Sequence, residues 1–228
     1  MCGRFTLTRS AAEVAAHFEL DAAPAHAPRF NVAPTQPVLA IRAGADGAPR
    51  EAVSLSWGLV PLWAKHARDA AQQINARVET LTERPAFREA AERRRCLVPA
   101  DGFYEWRGGP GAREPFHIAL PQRELFAFAA LWERWHPPTG GVLESVAIVT
   151  TGSAPNIRAL HERMPVVVDP RGYDAWLAPG ARDVRAVLAA LPVSRGALLV
   201  PRRVSTRVND VRNDDARCLS AAEQGTLF

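Results

Sequence analysis

The chain has 228 residues, 47% of them hydrophobic and 23% charged, with a formal net charge of +4. That is enough for one sizeable core without disulfide staples, and three widely spaced cysteines (Cys2, Cys96, Cys218) with no CxxC pair argue against a disulfide framework or a structural zinc site. No segment reaches the roughly 18–20 unbroken apolar residues of a membrane span and no apolar run follows the first arginine, so the expectation is a cytoplasmic, reducing setting without membrane attachment.

Taken in order, residues 10–20 read as a short amphipathic helix, with Ser10 as its cap and Glu13 at the capping-box spacing. Residues 22–37 are rich in Pro and Ala and read as a loop ending in Asn31-Val32-Ala33-Pro34. Strands are expected at 37–42 and 51–58, with a Gly-rich turn between them. Residues 59–75 read as mostly irregular. A helix is expected over 83–95, its end made basic by Arg93-Arg94-Arg95. Strands follow at 96–99, 102–106, 115–120, 125–132 and 142–151, then a loop with one helical turn over 153–162. Another strand is expected at 165–168, helices at 171–178 and 181–190, and a last strand at 198–204. From about 213 the chain reads as loosely held. Strands dominate the middle and helices interrupt them irregularly, unlike the βαβα alternation of a doubly wound sheet. The expected architecture is one α+β domain over 1–228, built on a curved, mostly antiparallel, barrel-like sheet with short flanking helices.

The cation supply is almost entirely arginine, since Lys65 is the only lysine. The planar fork of arginine suits phosphate, although a general drift toward Arg and Ala gives the same picture. Cys2 has a chemistry of its own. Loss of Met1 would leave a thiol and a free α-amine on one residue. The amine can attack an aldehyde to form an imine, and the thiolate can close on that imine to give a five-membered thiazolidine. An ordinary small residue at a frayed terminus is the alternative.

Three polar clusters stand in contexts that are costly for a plain core. Asn75, Arg77 and Glu79 alternate, so on an extended segment they share a face. Glu105 sits in the aromatic run Phe103-Tyr104-Glu105-Trp106, where desolvation would raise its pKa and keep it available as a proton donor. His161 and Arg163 precede an apolar strand. Each has a structural alternative: a turn-stabilising Asn, an ion-paired Glu, a surface His.

Together with Cys2 these clusters form the ordered pattern MCGRF, NVAP, WG, INAR, RRRCLVPADGFYEW, H.RMP and VND, spread from residue 2 to about 213. The pattern resembles the SRAP family (SOS response-associated peptidase fold, abasic-site processing proteins) along nearly the whole chain. The resemblance implies a protein that binds single-stranded DNA and crosslinks covalently to abasic sites through Cys2 after removal of Met1. It implies that Asn75 positions the Cys2 amine and that Glu105 and His161 handle protons. It further implies phosphate contacts from Arg4, Arg77 and Arg163, and apolar surfaces for bases from Pro34, Trp63, Trp106 and Met164. No cofactor and no metal is implied, and a monomer is expected.

Chemistry supports the assignment to the terminus. An α-amine with a pKa of ~7.7–8.0 is roughly a tenth to a fifth neutral at pH 7, against about one in a few thousand for a lysine at ~10.4. Only Lys65 competes for the imine nitrogen, and its neighbours are exposed and basic in character. An abasic lyase side reaction follows from the same imine. Two other classes stay open: a cysteine peptidase using Cys2, chiefly in self-processing, and a non-catalytic single-strand binder. A zinc deaminase is disfavoured because no HxE…PCxxC arrangement is present.

Overall fold

A computed structural model describes residues 2–67, 73–109, 113–178, 183–191 and 195–222. Among the described residues two sheets share the work. The smaller has the order β13 (Val200–Arg203), β8 (Glu114–Ala119), β7 (Gly102–Arg107), β1 (Phe5–Leu7), β2 (Arg29–Val32), and all its pairs are antiparallel. The larger runs β11 (Arg163–Pro165), β10 (Leu143–Gly152), β4 (Glu51–Trp57), β3 (Pro37–Arg42), β6 (Arg95–Ala100), β9 (Phe126–Trp135), β12 (Val167–Val168). Because β9 also pairs with β10, five of these strands close on themselves as a ring. The expected mostly antiparallel, curved sheet is present, with two parallel additions to β10: β4, and the short strand β5 (Asn75–Arg77).

One residue joins the two sheets. β6 ends at Ala100 and β7 begins at Gly102, so the chain crosses from ring to open sheet at Asp101. The buried Asp101 carboxylate accepts from the Thr6 hydroxyl, from the Thr8 N–H (2.7 Å) and from the Thr8 hydroxyl (2.5 Å). These bonds fasten β1 in the middle of the small sheet. Gly102 beside it admits the His117 ring, for a Cβ there would lie 2.1 Å from Nε2.

The ring is filled by Leu55, Trp57, Leu97, Phe126, Phe128 and their neighbours, all buried. The indoles of Trp57 and Trp176 reach the carbonyls of Ile74 (3.0 Å) and Cys96 (2.8 Å), so no buried N–H is wasted there. Helix α1 (Ala11–Phe18) forms as its sequence predicts. Ser10 and Glu13 complete a capping box, and Val14 and Phe18 face the core, with Phe18 stacked on Tyr173.

Four expectations change. The helix over 83–95 shrinks to α2 (Arg88–Arg93), because Arg95 already belongs to β6. Arg95 is not part of an exposed basic end. Its buried guanidinium donates to the carbonyls of Ala91 (2.8 Å), Trp176 (2.7 Å) and Ala178, supplying donors that the ends of α2 and α4 (Tyr173–Leu177) lack. The loop over 22–37 contains β2. The strand over 165–168 is two strands, because Val166 switches partners between Val149 and Ala129. The segment from 213 is not loose as far as 222. Asp214 accepts from the N–H groups of Phe30 and Asn31, Cys218 is buried, and Val204 bridges Ala221. Residues 223–228 of that expectation lie outside the described residues. The helices expected at 153–162 and 181–190 appear as α3 (Pro155–Arg158) and α5 (Val184–Ala190).

Candidate active site

The leading residues enter the small sheet beside β7, where Tyr104 N–H donates to Arg4 C=O (2.9 Å). This places Cys2 against the start of β5, and the Asn75 amide donates to the Cys2 carbonyl (2.9 Å). Asn75 Oδ1, also buried, has no partner among the described residues. It is left as an acceptor next to the Cys2 backbone. Cys2 is 0% exposed, and its thiol is pushed up first by burial and then by the charge of Glu105. Glu105 is 4% exposed, and burial raises its pKa while the charge of His161 opposes the rise. Cys2, Glu105 and His161 therefore interact in sequence, although 159 positions separate the first from the last.

His161 is oriented by the backbone. The Arg163 N–H donates to Nδ1 (2.9 Å), so the neutral ring carries its proton on Nε2. Arg163 in turn is held by Glu79 (2.7 and 2.9 Å) and by the Thr150 carbonyl (2.7 Å). That pairing with Arg163, more than any other interaction, keeps the Glu79 carboxyl below its ordinary range.

In front of these groups lies a cleft of about 890 Å³, lined among others by Gly3, Arg4, Glu105, Trp106, His161 and Asn209. The Arg4 guanidinium lies 5.7 Å from the centre of the Trp106 ring, a cation–π arrangement. Burial lowers the Arg4 pKa, which still leaves it charged at neutral pH. The Trp106 indole donates to Asn209 Oδ1 (2.7 Å), which fixes the plane of the ring.

Of the eleven residues singled out from the sequence, six come together here: Cys2, Asn75, Glu105, His161, Arg4 and Trp106. Arg77 is exposed one position beyond the buried Ala76, next door to Asn75. Glu79 lies past the end of β5, so the three alternating polar residues of that segment do not share one environment. Arg163 is committed to Glu79 and Thr150 and meets His161 through its backbone. Trp63 is 66% exposed and Pro34 half-buried, and neither lines the cleft. Met164 requires a correction. It is 4% exposed, packs in the core, and its sulfur lies 3.5 Å from the Ala154 N–H, so it presents no face to a base.

Two residues with site roles escaped the sequence reading, although NVAP and VND were marked as motifs. Asn31 accepts from Arg4 Nη1 (2.9 Å), and its amide points at the carbonyls of Val208, Asp210 and Asn213. It ties Arg4 to the segment that carries Asn209. Among the described residues no group of three or more His, Cys, Asp or Glu is placed to hold a metal ion.

Comparison with known proteins matches residues 1–211 to the family model described as SOS response associated peptidase (SRAP). The chain belongs to the SRAP family. All eleven residues considered above, and Asn31 and Asn209 with them, fall inside the matched SRAP region. Similar proteins include the abasic site processing protein YoqW of Bacillus subtilis (strain 168), 36% identical over 225 residues that cover 97% of this chain and 100% of that one. The abasic site processing protein HMCES of Rattus norvegicus is 30% identical over 87% of this chain and 66% of its own length. Among solved structures, a Bacteroides thetaiotaomicron protein shares the SRAP fold with a TM-score of 0.82 at 23% identity, covering 97% of this chain and 100% of its own.

Proposed function

We propose that this SRAP chain is a DNA-repair protein that captures abasic sites in single-stranded DNA as a covalent adduct on Cys2. The observation that carries the reading is the contiguous set of Cys2, Glu105 and His161 behind one cleft walled by Arg4 and Trp106. A sequence-tolerant single-strand site needs both a cation for the backbone and an aromatic face for a base. Both line the same cleft as Glu105 and His161. The proposal takes the protein to act as a monomer in the cytoplasm, with Arg77 as a phosphate contact and with Trp63 and Pro34 meeting bases beyond the cleft.

The chemistry runs as follows. Met1 is removed, so that Cys2 supplies the α-amine. The abasic sugar is mostly a closed hemiacetal. Glu105, whose burial favours its protonated form, gives its proton to the ring oxygen and takes back the one lost by the hydroxyl at C1′, and the open aldehyde results. The amine nitrogen bonds to C1′ as one of its protons passes to the carbonyl oxygen. His161 takes the remaining nitrogen proton and passes one to the departing hydroxyl, so water leaves and the imine forms. The Cys2 sulfur then bonds to C1′ while its proton passes to nitrogen, closing the thiazolidine. No oxidant or reductant is needed. Asn75 holds the Cys2 carbonyl, and with it the direction of the amine. The imine also acidifies C2′, so a strand-cleaving β-elimination of the 3′ phosphate is the accompanying side reaction.

Intact mass after incubation with an abasic oligonucleotide tests the reading. The mature protein gains the mass of the oligonucleotide minus water. Cys2→Ala gains nothing that survives denaturant, and Lys65→Ala behaves as wild type. A stable adduct on Cys2→Ala overturns the mechanism. A peptidase reading uses the same Cys2 and is carried by the family description alone. DNA-independent cleavage of peptides in trans, lost in Cys2→Ala, would favour it.

A further inference from the structure

A second cleft, of about 700 Å³, opens toward the other end of β8. It is separated from the first by an apolar cluster of Tyr104, Val204, Val208 and Cys218, which the C-terminal segment lays over the small sheet. Its lining holds His117, Arg123, Arg202 and Arg203, and no Asp or Glu among the described residues. The remaining wall is largely apolar, with Leu120, Val200 and Leu219.

The cations are placed by the fold. Arg202 stands directly opposite His117 in the β13–β8 register, and it is exposed with no carboxylate within ion-pair distance among the described residues. Arg203 spends its charge on Glu114 (2.8 Å). Arg123 comes from a turn in which two successive non-glycine residues are left-handed, Gln122 (φ 52) and Arg123 (φ 54). Such backbone is costly for a non-glycine residue and persists only where the surroundings impose it. Here Arg9 Nη2 donates to the Arg123 carbonyl (2.6 Å), and Arg123 Nη2 donates to Thr8 Oγ1 (3.0 Å) and lies 3.8 Å from the buried Asp101 carboxylate, which takes up part of its charge and leaves Arg202 as the unpaired cation among the described residues of the cleft. Arg123 Nε is buried without a partner. His117 forms the floor. Its Nε2 is engaged with Thr6 Oγ1 (3.1 Å) and the ring is buried, so the arginines carry the charge of the cleft.

We infer that this second cleft binds a nucleotide unit, with its phosphate between Arg123 and Arg202 and its base against Leu120, Val200 and Leu219. A bare phosphate would leave the apolar wall and most of the volume unused, whereas sites of about 300–1,000 Å³ suit small organic ligands. The unit has two possible sources, a free mononucleotide or one residue of a strand that passes over the small sheet. The inference does not depend on Cys2 chemistry.

The test is titration of the Cys2→Ala protein, followed by isothermal calorimetry. The probes are thymidine 5′-monophosphate, inorganic phosphate, thymidine and a short oligothymidylate. Saturable binding of the mononucleotide, weakened at least tenfold by Arg202→Glu and by Val200→Asp, supports the free-nucleotide source. Binding of the oligomer alone, weakened by Arg202→Glu with a salt slope lower by about 0.7, supports the strand source. Inorganic phosphate binding as well as the mononucleotide, with Val200→Asp silent, overturns the nucleotide assignment. So does an Arg202→Glu protein that binds every probe as its parent does. Arg202 is exposed and lies outside the first cleft, so Arg202→Glu with Cys2 restored should still form the adduct on a short abasic strand, which checks its folding.

Discussion

Glu105 and His161 occupy adjoining positions but different environments. Glu105 is buried and drawn toward its protonated form, whereas His161 lines the cleft with its Nδ1 held by the backbone of Arg163. Glu105→Gln keeps the volume and removes the proton. Single-turnover adduct formation should slow about 10²-fold while affinity for the abasic strand, read by anisotropy, stays within about twofold. A loss of affinity with an unchanged rate would make Glu105 a binding group. A second residue sets an acid limit on stability. Burial, aided by Arg123 and opposed by Asp101, brings the His117 pKa down to about 4 from an ordinary 6.5. The unfolded chain therefore binds the extra proton first as pH falls. The stability this His contributes is complete above about 6.5 and drains away down to about 4, on the order of 3 kcal/mol in all. Urea midpoints at pH 7.5, 6 and 4.5 should show that decline in wild type and a flatter profile in His117→Gln. Cys2, Glu105 and His161 were legible in the sequence because their side chains have few ordinary reasons to stand in those settings. Met164 was not, since nothing local distinguishes a methionine that faces a ligand from one that faces the core.

The helix held by a local rule was read correctly, as were the longer strands, whereas β1 and β2 were not. The capping box at Ser10 and Glu13 lies within four residues, and α1 forms where it predicts. β1 and β2 pair with each other, β1 pairs also with β7 about a hundred residues away, and neither carries the alternation of a half-buried strand. Arg95 looks like the third charge of a basic run, yet it serves carbonyls on two helices. Asn31 shows the same dependence on distance. It joins β1, through Arg4, to carbonyls at 208, 210 and 213. Asn31→Ala removes four hydrogen bonds, while Val208, Asp210 and Asn213 each keep a second donor (Arg4 Nη1, the Asn213 N–H and Cys218 Sγ), so the cost is that of the lost bonds, about 0.5–1.5 kcal/mol each. We expect a loss of roughly 3 kcal/mol in denaturant unfolding, and a red-shifted Trp106 contribution to fluorescence as Asn209 loosens. Unfolding that matches wild type would show that the C-terminal segment is held by its apolar cluster alone.

At the scale of the whole molecule, the fold class was legible because strand signals outnumber helices and do not alternate with them. The closure of β9 on β10 was not, for it depends on pairing that no periodicity encodes. The modest net charge likewise concealed its distribution. Many arginines are paired with carboxylates, for example Arg29 with Asp214, Arg207 with Asp215 and, at the second cleft, Arg203 with Glu114 and Arg123 with Asp101, so Arg4 and Arg202 stand out against a largely neutralised surface. The central place of β1 also sets an order of events during synthesis. Its neighbour β2 follows early, but β7 arrives after about a hundred further residues, and the carbonyl that grips Arg4 only at Val208. At about 5–20 residues per second, the leading end stays unclaimed for roughly 10–40 s. An aminopeptidase should therefore trim the nascent or urea-unfolded chain readily and the folded chain slowly, a contrast that mass spectrometry of timed digests would register. The leading end is thus accessible while the ribosome is still at work, and is sealed into the sheet when the last partner emerges.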